Sequence, residues 1–156
     1  MREATKKRVR LLSRIFFGFY ILLLIYFMFF SEEWGRNFMG GEYQYNLLPF
    51  REIRRYLQHY RQIGGWLVLL NLAGNIFAFV PFGALLPVLP RRKVGFWKTV
   101  LLSLDLSLCI EVSQLILRAG SCDVDDIILN TLGGCAGYGL YMLAVWIKEK
   151  KVEKKV

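Results

Sequence analysis

Four long apolar stretches limit most strongly what this chain can fold into. They run over residues 11–30, 64–89, 96–117 and 127–147, in a chain of 156 residues of which 55% are hydrophobic. A helix of about 20 residues crosses a hydrocarbon core roughly 30 Å thick, because each residue adds about 1.5 Å. The sequence therefore predicts an all-α membrane protein with four transmembrane helices in one domain.

The first stretch has features of both a secretory signal and a retained helix. Basic residues precede it, but its apolar run is too long for a typical signal core. No small-x-small cleavage site follows Phe30, since Ser31, Glu32 and Glu33 come next. We expect this stretch to remain as the first transmembrane helix.

Clustered basic residues predict the orientation of the chain. Lys and Arg crowd the N-terminus (1–10), a short loop (91–93) and the C-terminal tail (148–156), and the net charge is +9. With four spans these segments share one side of the membrane, which the positive-inside rule assigns to the cytoplasm. Both termini are then cytoplasmic, residues 11–147 form the membrane domain, and Asp123 faces outward. This grouping explains the charge without a nucleic-acid partner.

The segment between the first two stretches predicts an amphipathic helix on the extracytoplasmic membrane surface. Pro49 suits a helix start, and apolar and basic residues then recur on opposite faces. The apolar face comprises Ile53, Leu57, Tyr60 and Ile63, and the basic face comprises Arg51, Arg54, Arg55 and Arg61. An interfacial anchor explains this pattern. The alternative is that the arginines bind anionic headgroups or a phosphate-bearing ligand.

The third stretch carries a polar stripe. At 100° per residue, five polar side chains fall within a sector of about 80°. They are Ser103, Ser107, Glu111, Gln114 and Arg118. Glu111 is costly inside a span, so it should be protonated or paired. Asp105 points nearly the other way, where another protomer, a group on the first helix or a second polar pocket could face it.

Three carboxylates, Asp123, Asp125 and Asp126, lead into the fourth stretch. The free amides and the dipole of a helix N-terminus favour carboxylates, which accounts for at least one of them. Three within four residues exceed what capping requires. Together with Glu111 or Asn130 they could hold a divalent cation through oxygen ligands, the only cofactor that the sequence raises.

The second and fourth stretches carry further polar and small residues. Asn71 and Asn75 share one face of the second helix. On the fourth helix one face comprises Asp126, Asn130, Gly134, Gly137 and Tyr141, beside a GxxxG pair at Gly133 and Gly137. Small residues let membrane helices approach closely, so we expect this face to pack against the third helix, with the second as a further neighbour. The polar groups would then converge in an outer-leaflet pocket.

Four motifs recur in one known family. They are Asn46-x-x-Pro49-Phe50, Asn71-x-x-x-Asn75, Glu111-x-x-Gln114 and Asp123-x-Asp125-Asp126-x-x-x-Asn130-Thr131-x-Gly133. Over roughly residues 46–141 the chain resembles the VanZ-like membrane protein family. That resemblance implies a multi-pass envelope protein, in a family named for a protein associated with low-level resistance to the glycopeptide antibiotic teicoplanin. It supplies no biochemical mechanism.

Three functions are compatible with these residues. The first is a non-enzymatic protein that binds membrane lipids, a lipid-linked cell-wall precursor or a lipoglycopeptide in the pocket. The second is an enzyme on a membrane-embedded substrate, with Glu111 as general acid or base. The third is a purely structural polar core, and self-association through GxxxG and Asp105 is open in each case. The expected ligand-binding residues are Asn46, Arg51, Asn71, Asn75, Gln114, Arg118, Asp123, Asp125, Asp126 and Asn130.

Overall fold

Four membrane-spanning helices dominate the computed structural model, which describes residues 3–30, 44–89, 94–118 and 120–154. The elements are α1 (Glu3–Phe30), β1 (Gln44–Asn46), α2 (Arg51–Gln58), α3 (Tyr60–Ile63), α4 (Gly65–Leu85), α5 (Phe96–Leu117), β2 (Ser121–Asp123) and α6 (Val124–Glu153). Helices α1, α4, α5 and α6 are long and apolar enough to cross a membrane. The predicted four-helix membrane architecture is confirmed.

Large apolar side chains on the four long helices point away from the bundle. Phe16 on α1, Phe77 on α4, Trp97 on α5 and Leu140 on α6 are each more than half exposed. In water this apolar area would cost about 25 cal/mol per Å², whereas in a bilayer lipid tails cover it. The protein interior is correspondingly small and includes a cluster of Leu24, Phe79 and Ile110.

Glycines bring α4 and α6 into direct backbone contact. A Cβ atom built on Gly83 of α4 would lie 2.0 Å from the carbonyl oxygen of Gly134 on α6. One built on Gly137 would lie 2.1 Å from the carbonyl oxygen of Val80 on α4. The face of α6 that carries these glycines also contacts α5, where the side chain of Ser103 packs on Gly134. Helix α6 thus packs on both predicted neighbours, and most extensively on α4.

A short parallel β-pair joins the segment before α2 to the α5–α6 junction. Strands β1 and β2 pair with Asn46 opposite Asp123 and Tyr45 opposite Cys122. Nothing in the apolar pattern predicted these strands. Their pairing holds the segment before α2 beside the start of α6.

The predicted amphipathic helix forms as two pieces. Helix α2 begins at Arg51, two residues after Pro49, because the chain first turns through Phe50 at φ 65°. It ends at Gln58, and α3 follows after His59. No residue of α2 is buried, and Ile53 is half-buried. The interfacial position of this helix stays a prediction.

Candidate functional site

The polar stripe of α5 lies in the protein interior over most of its length. Ser103 and Ser107 are fully buried, and Glu111 and Gln114 are 2% and 4% exposed. The stripe extends by one more turn to the buried hydroxyl of Thr99. Arg118, expected to end the stripe, is exposed and closes α5 with a left-handed backbone conformation, φ 52°.

Asp123 links three elements through hydrogen bonds. Its Oδ1 accepts from Nδ2 of Asn46 at 3.0 Å and from the backbone N–H of Asp125 at 2.8 Å. The second of these bonds is an N-cap of α6, so the expected capping role is met. The backbone N–H of Asp123 in turn donates to Oε2 of Glu111 at 2.8 Å. The buried Glu111 carboxylate is therefore held by the backbone of β2.

Asp125 binds the N-terminus of a different helix from its own. Its Oδ2 accepts from the backbone N–H groups of Glu52 at 2.8 Å and Ile53 at 3.1 Å, and its Oδ1 accepts from that of Phe50. Free N–H groups at a helix start need such acceptors, since no intrahelical carbonyl can reach them. Asp125 is 1% exposed, and these bonds use both of its oxygens.

The amide side chains of α4 and α6 reach the same region. Nδ2 of Asn75 donates to Oδ1 of Asp126, which ties α4 to the first turn of α6. Nδ2 of Asn130 donates to Oγ of Ser107 at 2.9 Å, which ties α6 to α5. Asn130 is fully buried, and its Oδ1 has no hydrogen-bond partner among the described atoms.

Hydrogen bonds attach α1 to α5 and α4. Nε2 of Gln114 donates to the carbonyl oxygen of Met28 at 2.7 Å, and the Tyr20 hydroxyl donates to that of Ala78 at 2.6 Å. Of the α1 side chains that the structure describes, only Leu24 is buried. Helix α1 is thus held by these polar contacts together with the packing of Leu24 on Phe79 and Ile110.

A cavity of about 1220 Å³ lies between α1, α2, α4 and the polar end of α5 and α6. Apolar side chains of α1 and α4 form one part of its wall, among them Leu23, Phe27, Leu70 and Phe77. Nine of the eleven candidate residues also line it, namely Asn46, Arg51, Asn71, Asn75, Glu111, Gln114, Asp123, Asp125 and Asp126. Arg118 and Asn130 do not line it. The fold thus brings most of the candidate residues to one cavity, whose wall has an apolar part and a polar part.

The four motifs and this geometry agree with comparisons to known proteins. A family model described as VanZ/LLP1 matches residues 17–146. The chain belongs to the VanZ/LLP1 family. It is also similar to protein VanZ of Enterococcus faecium, with 29% identity over 150 residues that cover 94% of this chain and 84% of that protein. No solved structure gives a significant match to the chain.

Two groups of β2 have raised pKa values in this VanZ/LLP1 family member. Burial raises the pKa of Asp123, and the hydrogen bonds from the Asp125 backbone and Asn46 offset this only in part. Burial also raises the pKa of the Cys122 thiol, and the nearby Glu111 and Asp123 carboxylates raise it further. A thiol in such surroundings stays protonated and is a poor nucleophile.

The acidic residues of this family member make contacts other than those of a metal centre. Within residues 3–30, 44–89, 94–118 and 120–154, no group of three or more His, Cys, Asp or Glu side chains is arranged to hold a metal ion. Asp123 and Asp125 accept backbone N–H groups instead. The divalent cation stays a prediction of the sequence.

Sequence reasoning missed the contribution of α1 and of Gly74 to the cavity. Tyr20 shares its apolar stretch with a second tyrosine, Tyr26, and nothing in the pattern indicates which hydroxyl would bind another helix. Gly74 lies one residue before Asn75 on α4, and a Cβ built there would meet no atom within 4 Å. Its open surroundings depend on how α1 packs, which the sequence does not reveal.

Proposed function

We propose that this VanZ/LLP1 family member binds a lipid-linked or amphiphilic ligand in the cavity between α1 and α4. The observation that carries the proposal is the division of the cavity wall. One part is apolar and belongs to two membrane helices, and the other holds the amide and carboxyl groups of α4, α5 and α6. A ligand with a polar end and an apolar chain matches both parts at once.

The polar end of the ligand would lie beside Gln114, Asn75 and Asp126. These groups already have protein partners, but amide and carboxylate oxygens can accept a second hydrogen bond. Arg51 of α2 is exposed and lines the same cavity, so it supplies a cation at the polar side. The described wall offers both donors and acceptors, which suits a headgroup that carries both.

The apolar chain of the ligand would lie along α1 and α4. Leu23 and Phe27 face the cavity from α1, and Leu70 and Phe77 from α4. Since Leu24 is the one described α1 side chain that is buried, α1 leaves room beside α4 for an acyl or prenyl chain. The predicted topology puts the polar end in the outer leaflet.

We connect this binding to glycopeptide resistance through the similarity to protein VanZ. A protein that holds a lipid-linked cell-wall precursor, or a lipoglycopeptide itself, would change how such an antibiotic reaches its target at the cell surface. This role needs no catalysis. It predicts altered teicoplanin susceptibility when the chain is produced in a susceptible host.

Gly74 provides a direct test of the cavity. Because a Cβ atom built at this position meets no atom within 4 Å and Gly74 lines the cavity, the side chain of Gly74→Leu should extend into the cavity. Gly139 of α6 is the matched control, since it is also a helical glycine in open surroundings but lies outside the cavity. Native mass spectrometry of the protein released from nanodiscs of host lipids would show whether an amphiphile remains bound.

We expect wild type and Gly139→Leu to retain an amphiphile and to lower teicoplanin susceptibility alike. Gly74→Leu should lose most of the bound species and the effect on susceptibility, with an unchanged melting temperature. A wild-type protein without any bound amphiphile, or equal retention in both variants, would contradict the proposed site.

A further inference from the structure

Asp105 is a carboxyl group on the outward face of α5. It lies nine residues after Phe96 in a helix of 22 residues, so about 14 Å along an element roughly 33 Å long. Its side chain is exposed, and it makes no hydrogen bond or ion pair with any described residue. A carboxyl near the middle of a bilayer costs at least a few kcal/mol when lipid surrounds it, and such groups normally face a protein or polar partner.

No described group of the same chain can neutralise Asp105. Lys98 is the nearest cation on this face of α5, and it lies seven residues earlier, roughly 10 Å away along the helix axis. The buried stripe that includes Ser103 and Ser107 lies on the opposite side of α5. None of the residues that the structure describes therefore offers Asp105 a partner, and the outward direction of its side chain suits a partner on another chain.

The side chains around Asp105 have the spacing of a helix–helix contact. Leu101, Asp105, Leu108 and Val112 follow one another at intervals of four, three and four residues, and all four are exposed. This spacing matches the seam of a left-handed helix pair. A single polar residue within such a seam fixes the register and the number of chains. We call these four residues the α5 seam.

We propose that the α5 seam is the docking surface for a second copy of this chain. Two copies inserted with the same topology place their Asp105 side chains at equal depth, and a twofold axis along the membrane normal brings them together. A hydrogen bond between the two Asp105 side chains would give each the polar partner that it lacks within its own chain. A basic helix of another protein could pair with Asp105 as well, but it would need a cation at the matching depth.

The glycines considered for self-association in the sequence analysis are already used within one chain. Gly133 and Gly137 lie against the backbone of α4, at Ile76 and Val80. A second copy cannot reach this surface without separating α4 from α6. The α5 seam thus remains as a surface whose polar group, Asp105, has no partner among the described residues.

Disulfide crosslinking in native membranes tests this contact. Leu108→Cys in a Cys109→Ala background places a thiol within the seam, and Leu132→Cys of α6 is the control at similar depth and exposure. The background alone reports any crosslinking through Cys122 and Cys135. We expect Leu108→Cys, and neither control, to give an adduct of twice the chain mass.

The carboxyl is tested by two further changes in the Leu108→Cys protein. Asp105→Asn preserves a hydrogen bond across the seam and should retain crosslinking, whereas Asp105→Leu should weaken association about tenfold. Both changes lie on the lipid-facing surface, and an unchanged melting temperature of the monomer would verify folding. Equal crosslinking of Leu108→Cys and Leu132→Cys, an adduct with another protein, or no effect of Asp105→Leu would overturn the proposal.

Discussion

Asp125 at the start of α6 caps helix α2 through a hydrogen bond of 2.8 Å from the backbone N–H of Glu52, which lies 73 residues earlier in the chain. The same carboxylate accepts the N–H of Ile53. Helix α2 has no buried residue, so little apolar packing holds it above the cavity. Its position depends on this carboxylate and on the neighbouring β-pair.

Replacement of Asp125 should therefore destabilise the position of α2 more than it destabilises the four long helices. Asp125→Ala removes the acceptor of three backbone N–H groups and should cost about 1–2 kcal/mol, the usual value of a lost N-cap. We expect faster amide hydrogen exchange at residues 51–56 and little change in the four long helices. Hydrogen exchange measured by mass spectrometry resolves the two regions.

Glu52→Gln is the control for this change. It removes a charge from the first turn of α2 and the surface ion pair with Arg55, but it keeps the N–H that Asp125 accepts. Exposed ion pairs contribute little, so exchange in α2 should stay near the wild-type rate. Equal acceleration in both variants would show that Asp125 does not hold α2.

Asp123 should give the protein a dependence on pH. Its pKa is raised in the folded state, mainly by burial, so between the ordinary carboxyl pKa and the raised one the folded chain keeps a proton that the unfolded chain releases. Stability then falls as pH rises through this window and is constant above it.

Asp123→Asn should remove this part of the pH dependence. The amide keeps an oxygen that accepts from Asn46 and from the Asp125 backbone, but it does not ionise. Melting temperatures of both proteins between pH 4 and pH 8 should diverge as pH rises, with the variant becoming the more stable. Parallel curves would mean that Asp123 titrates normally.

Local periodicity explains why part of the site was predictable. Ser103, Ser107, Glu111 and Gln114 share a face because of helix geometry alone, and a polar face on an apolar helix must turn inward. The shared direction of these side chains, and the opposite direction of Asp105, therefore followed from spacing. Arg118 was misplaced because α5 ends just before it, and a helix end is not fixed by periodicity.

The contacts between distant segments were not predictable from the same pattern. The acceptor role of Asp125 depends on β1 pairing with β2 in one register, and a three-residue strand carries almost no signal. The aspartates looked like a ligand set because the donors to Asp125 and Asp126, among them the Glu52 backbone and the Asn75 side chain, lie in distant segments of the chain. Position within the fold, and not residue type, distinguishes a capping carboxylate from a binding one.

The α4–α6 contact should tolerate no side chain at Gly137. A Cβ there would lie 2.1 Å from the carbonyl oxygen of Val80 and 2.8 Å from the backbone nitrogen of Ala84, so the helices must separate. We expect Gly137→Ala to cost about 1–3 kcal/mol, as overpacking does. Gly139→Ala, two residues later in open surroundings, should be neutral or slightly stabilising. Thermal unfolding in one detergent compares the two, and equal melting temperatures would contradict the close approach.

Substitutions of Glu111 distinguish a ligand-binding protein from an enzyme. Glu111→Gln keeps an oxygen for the N–H of Asp123 but removes the ionisable group, whereas Glu111→Ala leaves that buried N–H without an acceptor, at about 1–3 kcal/mol. If the cavity only binds a ligand, Glu111→Gln should match wild type in bound amphiphile and in teicoplanin susceptibility, and Glu111→Ala should lose stability.

A general acid or base typically contributes 10²- to 10⁴-fold to a rate. Loss of the susceptibility effect in a stable Glu111→Gln protein that still binds its amphiphile would therefore favour an enzyme over a binding protein.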